Sequence, residues 1–448
     1  MRAAGSWRQR AAQALGIQPD ELPAGACGFA FFFCLFCGYF MLRPIRETLG
    51  IQAGVDQLQW LFTATFLAML AVVPLFGWLS ARVARATLVT WAYAAFAVTM
   101  AGYAALFHRR PDSVWAARSF YVWLSVFNLF VVSLGWSLMA DVFRMDSAKR
   151  LFAFIAAGAS AGGLCGPLLG GLLAGALGPA GLLLLSALLL TATLPLKRWL
   201  LRWRAAVRPE ADTAELATPI AGATLAGLAR VFQSPFLLGV AVLVLLLATL
   251  NTFLYMEQAR LVAGAFTDTA QRIRVFAALD FTVQALSLLS QLFLTSRLAA
   301  RLGVRFLMAA VPLAMALAFL VLAIHPVFAV LAGAMILRRV GEYALVKPGR
   351  EMLFTAVPPE DKYKTKNVID TVVYRAGDAA SGWVKAGIDA LGHGVALIAL
   401  LGALCALAAA ALGYGLGRQA DRRAPDSLDF SKHPSEQGER ISLAAAAQ

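Results

Sequence analysis

Charge is in short supply in this sequence. Asp, Glu, Lys and Arg together make up 14% of its 448 residues, where a soluble domain carries about 25%, so the chain cannot cover a globular surface with solvated side chains. Histidine is almost missing. The four present, His108, His325, His393 and His433, fall near loops, at span ends or in the tail, and no HExxH, P-loop or EF-hand pattern accompanies them. Cysteine is sparse too: Cys27, Cys34, Cys37, Cys165 and Cys405 all lie inside apolar blocks. The Cys34-x2-Cys37 spacing suits metal or redox chemistry, but it sits among Phe31, Phe32, Phe33 and Phe36 with no second ligand pair and reads as small buried hydrophobes. Ten-residue stretches of alternating polarity, the mark of a membrane barrel, are absent. The run Gly158-Ala-Ser160-Ala-Gly162 has the letters of a hydrolase elbow. That elbow needs a strand-to-helix turn with His and an acid nearby, and this run lies inside an apolar helix. The expectation is therefore no enzyme, no metal and no cofactor.

What the sequence does have is apolar length. Sixty per cent of its residues are apolar, in blocks that reach the roughly 20 residues a helix needs to span a hydrocarbon core of about 30 Å. In lipid each backbone donor and acceptor must be satisfied inside the segment, so such blocks are helices. Spans are expected near 24–42, 58–79, 87–107, 118–140, 151–175, 179–196, 235–255, 276–296, 306–324, 327–346, 367–388 and 393–415. The basic N-terminal stretch leads into the first of these without a convincing cleavage site, so that block is read as a retained span. Twelve spans put both termini on one side. Most of the 39 basic residues fall in segments on that side, among them Arg82, Arg85, Arg144, Lys149, Arg150, Arg297, Arg301, Arg305, Lys347 and Arg350, which places the termini in the cytoplasm and the chain in the inner membrane of the cell. The net charge of +14 then faces anionic lipid rather than nucleic acid.

The predicted organisation is a cytoplasmic N-terminus (1–23), a six-helix bundle (24–196), a cytoplasmic linker (197–234), a second six-helix bundle (235–417) and a disordered cytoplasmic tail (418–448). The halves repeat. Gly77-Trp-Leu-Ser-Ala-Arg82-Val-Ala-Arg85 and Ser296-Arg-Leu-Ala-Ala-Arg301-Leu-Gly303-Val-Arg305 occupy the same place, between the second and third span of each half, as internal repeats in transporter folds do. A monomer is expected, with lipid and a small solute as its partners.

The few charges inside spans carry the functional reading. Each costs up to about 2.5–3.5 kcal/mol at a bilayer centre, while a Val or Ile returns only about 0.3–0.6 kcal/mol. The eleventh span holds Asp370, Arg375, Asp378 and Lys385, which its Val and Ile residues cannot offset, so it must face protein or water. Asp370, Tyr374, Asp378, Ser381 and Lys385 fall on one helical face. The tenth span holds Arg338, Arg339 and Glu342, with Glu342 able to pair with either arginine. The eighth aligns Asp280, Gln284, Ser287 and Gln291, the first ends Arg43-Pro44-Ile45-Arg46-Glu47, and Asn128 and Asn251 lie in the fourth and seventh. Such residues either lock helices together by pairing or line a substrate or proton path.

Several of these stretches resemble known families. Gly77, Arg82 and Arg85, with Arg301 and Gly303 in the other half, resemble the loop motif of the major facilitator superfamily, although Ala81 and Ala300 stand where that motif has an acid. Gly162-x3-Gly166-Pro167-x2-Gly170-Gly171 is similar to the superfamily's fifth-helix antiporter motif, in which small residues and a bend permit close packing and rocking of the halves. Tyr39-Phe-Met-Leu-Arg43-Pro-Ile-Arg46-Glu47-Thr-Leu-Gly50 resembles the first-helix signature of the ATP:ADP antiporter (nucleotide translocase) family. Lys347 to Gly382, through Arg350-Glu351-Met352, Lys364-Thr365-Lys366, Ile369-Asp370 and Arg375-x-Gly377, is similar to that family's tenth-to-eleventh-helix region. The resemblance implies nucleotide exchange by alternating access, with basic residues on phosphates. Arg46 replaces the first-helix Lys, Asp378 falls where a Lys is expected, and the fourth span shows Trp123 and Asn128 but no acid.

The expected substrate-binding residues are Arg43, Arg46, Asn128, Arg339 and Arg375. Glu47, Asp280, Glu342, Asp370 and Asp378 are the candidates for proton or ion coupling. Gly77, Arg82, Gly162, Gly166, Pro167, Gly170, Gly171 and Arg301 are the candidates for gating and packing. Three functions fit: an exchanger of a small anion or nucleotide, a proton-coupled symporter or exporter, and a membrane scaffold that carries nothing.

Overall fold

A computed structural model describes Gln18 and residues 20–80, 82–143, 145–207, 230–355, 357, 365–366, 368–392 and 394–423. These form twelve helices and, among the described residues, no strand. They are α1 (Leu22–Gln52), α2 (Leu58–Ser80), α3 (Arg85–Arg109) and α4 (Val114–Val142), followed by one helical run, Met145–Val207, bent into α5 (145–177) and α6 (179–207). The second half has α7 (Pro235–Ala265) and α8 (Thr269–Ser290 with a π turn, Gln291–Thr295). It continues with α9 (Ser296–Ile324), α10 (Phe328–Gly341, a π turn Glu342–Val346, then Lys347–Thr355), α11 (a π turn Ile369–Val373, then Tyr374–Ala390) and α12 (Val395–Arg423). Nine segments are long and apolar enough to cross a membrane. One of them holds both α5 and α6, while α10 and α11 carry too much charge or too short an α-helical run to count.

The sixth helix continues to Val207 and the last to Arg423. Residues 197–207 and 418–423, read from the sequence as linker and tail, are thus helical extensions. Amphipathic ends such as Lys197-Arg198-Trp199 carry the helix on past the apolar run. Residues 1–17, 208–229 and 424–448, together with Lys364 and Ala81, lie outside the described residues, as does the side chain of Ala300. The sharp reversal between α5 and α6 rests on Gly178, at φ +60°, a conformation that L side chains resist. Pro179 then opens α6 with its φ already helical.

Each half has its own apolar core. Phe31, Phe32, Tyr93, Phe120, Tyr121 and Phe127 fill the first, and Phe253, Leu254, Phe319 and Phe354 the second. The perimeter stays apolar: Trp91, Val98, Leu188, Leu317 and Ile324 are among many exposed large side chains. A continuous apolar surface of that extent requires lipid around it.

The tightest seam lies between α1 and α5. Gly158, Gly162, Gly166 and Gly170 recur every four residues along one face of α5 and stand against Phe29, Phe33, Cys37 and Met41, which recur every four along α1. The two helices therefore run parallel. A Cβ at any of the first three would overlap the α1 backbone, whereas at Gly170 it would meet Met41 in ordinary contact at 3.5 Å. Gly171 faces across to Ala277 of α8. Gly77, by contrast, has open space around it, so the expected packing role does not apply there. Replacing Gly162 by Val should lower stability by about 1–3 kcal/mol through overpacking. Gly77→Ala should hold or raise it, since a helical Gly costs about 0.5–1 kcal/mol relative to Ala. Thermal unfolding of the two variants in detergent separates these outcomes.

Candidate functional site

The two halves meet through α1, α2, α4 and α5 on one side and α7, α8 and α11 on the other. Contacts across the seam run from the middle of the molecule toward the face away from the termini. Gly163 meets Gln284, Gly171 meets Ala277 and Gly175 meets Arg274. Tyr121 and Tyr255 share a hydroxyl hydrogen bond of 3.0 Å. The indole of Trp383 donates to Thr63 at 3.0 Å and packs edge-on against Trp60, and Gly382 seats against Phe62 and Gln59. Met256, Ala259, Val262, Phe276 and Ala379 of the second half are counted in the apolar core of the first.

At mid-depth, below this closure, a cavity of about 60 Å³ lies between α1, α7, α8 and α10. Asp280 of α8 is its hub. Arg339 of α10 donates to one carboxylate oxygen at 2.5 Å, and Arg43 of α1 lies 3.9 Å from the other. Asp280 is 4% exposed and Arg339 9%. One acid thus holds cations from both halves. Its Oδ2 accepts no hydrogen bond, and Arg339 Nη2 donates none, among the described residues. Arg338, Glu47, Asn251, Tyr255, Gln258, Phe276, Leu279 and Met335 complete the lining.

Of the residues singled out in the sequence, Arg43, Glu47, Asp280 and Arg339 therefore come together. Arg46 stands just behind, paired with Glu47 at 3.2 Å and stacked 3.8 Å over the Tyr121 ring. A guanidinium over an aromatic face is stabilised by the ring quadrupole, so Arg46 braces Glu47 and Tyr121 rather than projecting into the space. Glu342 does not pair with Arg338 or Arg339. Arg339 is taken by Asp280 instead, and Glu342 begins the π turn of α10. Asn128 is half-buried and outside the lining.

The polar face of α11 does not look into the cavity. It docks on α7: Ser381 meets Thr249 at 2.8 Å, and Asp378 accepts from Thr252 at 3.1 Å while pairing with Arg375 at 3.2 Å. Lys385 lies 2.7 Å from Glu257 and 2.9 Å from Asp389, and Asp389 also binds Arg260 at 2.8 Å. Asp370 pairs with Arg350 at 3.2 Å. These charges join helices of one half. On the termini side, Arg82 is exposed and lies over Trp78 at 4.3 Å, and Arg301 is exposed. Arg85 pairs with Asp141, an acid of α4 that the sequence reading missed because the helix runs two residues beyond the expected span.

Sequence reasoning also missed Arg338, Tyr255, Glu257 and Gln258 as site residues. The signal for the α7 group was there: Tyr255-Met256-Glu257-Gln258 interrupts a long apolar run in a single turn. It reads as a loop only because the apolar block ends, whereas α7 continues ten residues further.

The sequence matches the family model described as Major Facilitator Superfamily over residues 26–279, more than half of the chain. No curated protein matches it. Among solved structures it is similar to a bacterial homologue of the human lysosomal transporter Spinster, in an inward-facing and unoccupied conformation. That pair shows 14% identity and a TM-score of 0.58, with 96% of this chain and 98% of that one covered. It is also similar to the POT family transporter PepTSo (14% identity, TM-score 0.64, 89% and 98% covered). A third likeness is to a bacterial homologue of the iron transporter ferroportin in an inward-facing state (14%, 0.60, 89% and 98%).

The Lys385–Glu257 pair makes a test of buried charge. Lys385 is 0% and Glu257 2% exposed, and removing one partner of such a pair costs about 3–5 kcal/mol because it strands the other. Lys385→Met should therefore unfold at a markedly lower temperature in detergent, and the double change Glu257→Gln with Lys385→Met should recover most of the loss.

Proposed function

Because this chain belongs to the major facilitator superfamily, a superfamily of secondary transporters, we propose that it carries a small organic anion across the inner membrane by alternating access, with both termini in the cytoplasm. The observation behind this reading is Asp280, held between Arg43 of one half and Arg339 of the other beside a cavity on the seam. An anionic solute seated among the arginines of this lining competes with Asp280 and loosens the charged tie that the acid makes between the halves. A ligand shifts a conformational equilibrium only by binding its two states differently, and a tie that the solute loosens gives that difference. With the termini in the cytoplasm, as the basic loops indicate, the closed face is the outer one and the cavity would load from inside.

Coupling to a proton is the second reading, favoured by the bare Oδ2 of Asp280: protonating that carboxyl would also release Arg43. Nucleotide exchange is the less favoured version. Asp378 neutralises Arg375, and the cavity is small for a nucleotide, since ligand pockets run to about 300–1,000 Å³.

Uptake into proteoliposomes tests the proposal. Arg43→Gln should cut anion uptake at least tenfold with folded yield near normal, because Asp280 keeps Arg339. Equal loss of yield and flux would favour a purely structural pair, and no flux of any solute in the unaltered protein would leave only a scaffold. Alternating access has its own test. A Cβ at Gly382 would lie 3.5 Å from the Cβ of Gln59, within disulfide range. With the five native cysteines replaced by alanine, Gln59→Cys with Gly382→Cys should lose flux on oxidation and regain it on reduction.

A further inference from the structure

We infer that the cavity is built for a solute carrying a single negative charge, and that Arg338 is the residue that reads that charge. The inference rests on the transport reading above and narrows its substrate class. Three arginines line the cavity, Arg43, Arg338 and Arg339, against two acids, Glu47 and Asp280. The charges just outside the lining cancel one another: Arg46, bonded to Glu47, is matched in number by Glu342, which opens the π turn of α10 and bonds to neither Arg338 nor Arg339. The space therefore holds one positive charge in excess.

That excess has an address. Arg43 and Arg339 share Asp280, and Arg46 is bonded to Glu47 and stacked on Tyr121. Arg338 lines the cavity with no hydrogen bond or ion pair among the described residues, and its Nε is buried without a partner. A half-buried guanidinium left this way is costly, and a carboxylate, which accepts two parallel N–H bonds in the fork geometry of Arg, relieves it. One such group balances the site, whereas a dianion or a nucleotide brings more charge than the lining answers. The rest of the lining suits a small organic body: the rings of Tyr255 and Phe276 offer an apolar wall, and Asn251 and Gln258 offer amides. Lys347, over the Tyr343 ring at 4.9 Å, stands about two turns nearer the termini on α10 than Arg338 and Arg339, where it would draw an anion inward.

The test is binding to the purified full-length protein in detergent at pH 7, read by calorimetry and thermal shift, with proteoliposome flux alongside. The probes are benzoate and lactate as monoanions, benzamide as the neutral counterpart of benzoate, succinate as a dianion, and ADP. Benzoate or lactate should bind and be carried, while benzamide, succinate and ADP bind at least tenfold more weakly. Arg338→Gln should weaken monoanion binding by about 10- to 100-fold, the span expected for losing a hydrogen bond to a charged group, and should narrow the gap between benzoate and benzamide. Asp280→Asn raises the excess to two and should move the preference toward succinate. If that variant fails to fold, Arg338→Gln decides alone. Binding of ADP or succinate as tight as benzoate overturns the single-charge inference while leaving an anion transporter. Equal binding of benzoate and benzamide, or an unchanged Arg338→Gln, overturns it as well. Flux of a cation or neutral solute alone overturns the anion reading together with it.

Discussion

A carboxylate in the interior of a membrane protein stands only if cations or donors of the same protein answer it, because bare ionic burial costs several kcal/mol. Asp280 meets that condition with arginines from two different halves. The arrangement couples two facts that are separable in a soluble protein. The acid has its two cations because the halves are together, and the halves are held at mid-depth because the acid takes both. The pairs Lys385–Glu257, Arg350–Asp370 and Arg85–Asp141 join helices within one half, and Arg375–Asp378 lies along a single helix. They keep each bundle a unit and leave a single charged joint in the cavity between them.

The glycine seam between α1 and α5 explains how Arg43 reaches that joint. Close approach fixes α1 against α5 without bulky side chains between them, so the far third of α1, with Arg43, Arg46 and Glu47, is held against the seam. α5 lies against α8 on its other face, through Gly163, Gly171 and Gly175. Asp280 and Arg43 thus ride on helices that share one small-residue neighbour. Van der Waals fit, the main attraction open to helices in lipid, positions the charges.

Much of this was legible in the sequence. Apolar block length gave twelve spans, and the cost of charge in lipid turned Arg43, Asp280, Arg339 and Asp378 inward, as the structure has them. The four-residue glycine period marked a packing face. What sequence could not supply was partner choice. Arg339 lies three residues from Glu342 but bonds to Asp280, and Asp378 shares a face with Lys385 that meets α7 rather than the cavity. Helical spacing fixes which residues are neighbours on one helix, and it says nothing of which other helix that face meets. Asp141, Glu257 and Gln258 were lost to span boundaries, because helices continue past the end of the hydrophobic run.

The π turns of α8, α10 and α11 all lie in the second half, toward the termini. Those of α8 and α10 are stitched together: Gln291 donates to the carbonyl of Tyr343 at 3.2 Å and Thr295 to that of Ala344 at 2.8 Å, absorbing acceptors that a wider turn releases. A π turn holds one residue more than an α turn, which rotates all that follows by about 100° at 3.6 residues per turn. Lys347 and Arg350 therefore point in directions that an unbroken helical wheel drawn from Arg338 would misassign. A pseudo-symmetric superposition of the two bundles should lose phase at these three places, so that the internal repeat is a repeat of helices but not of their wheels.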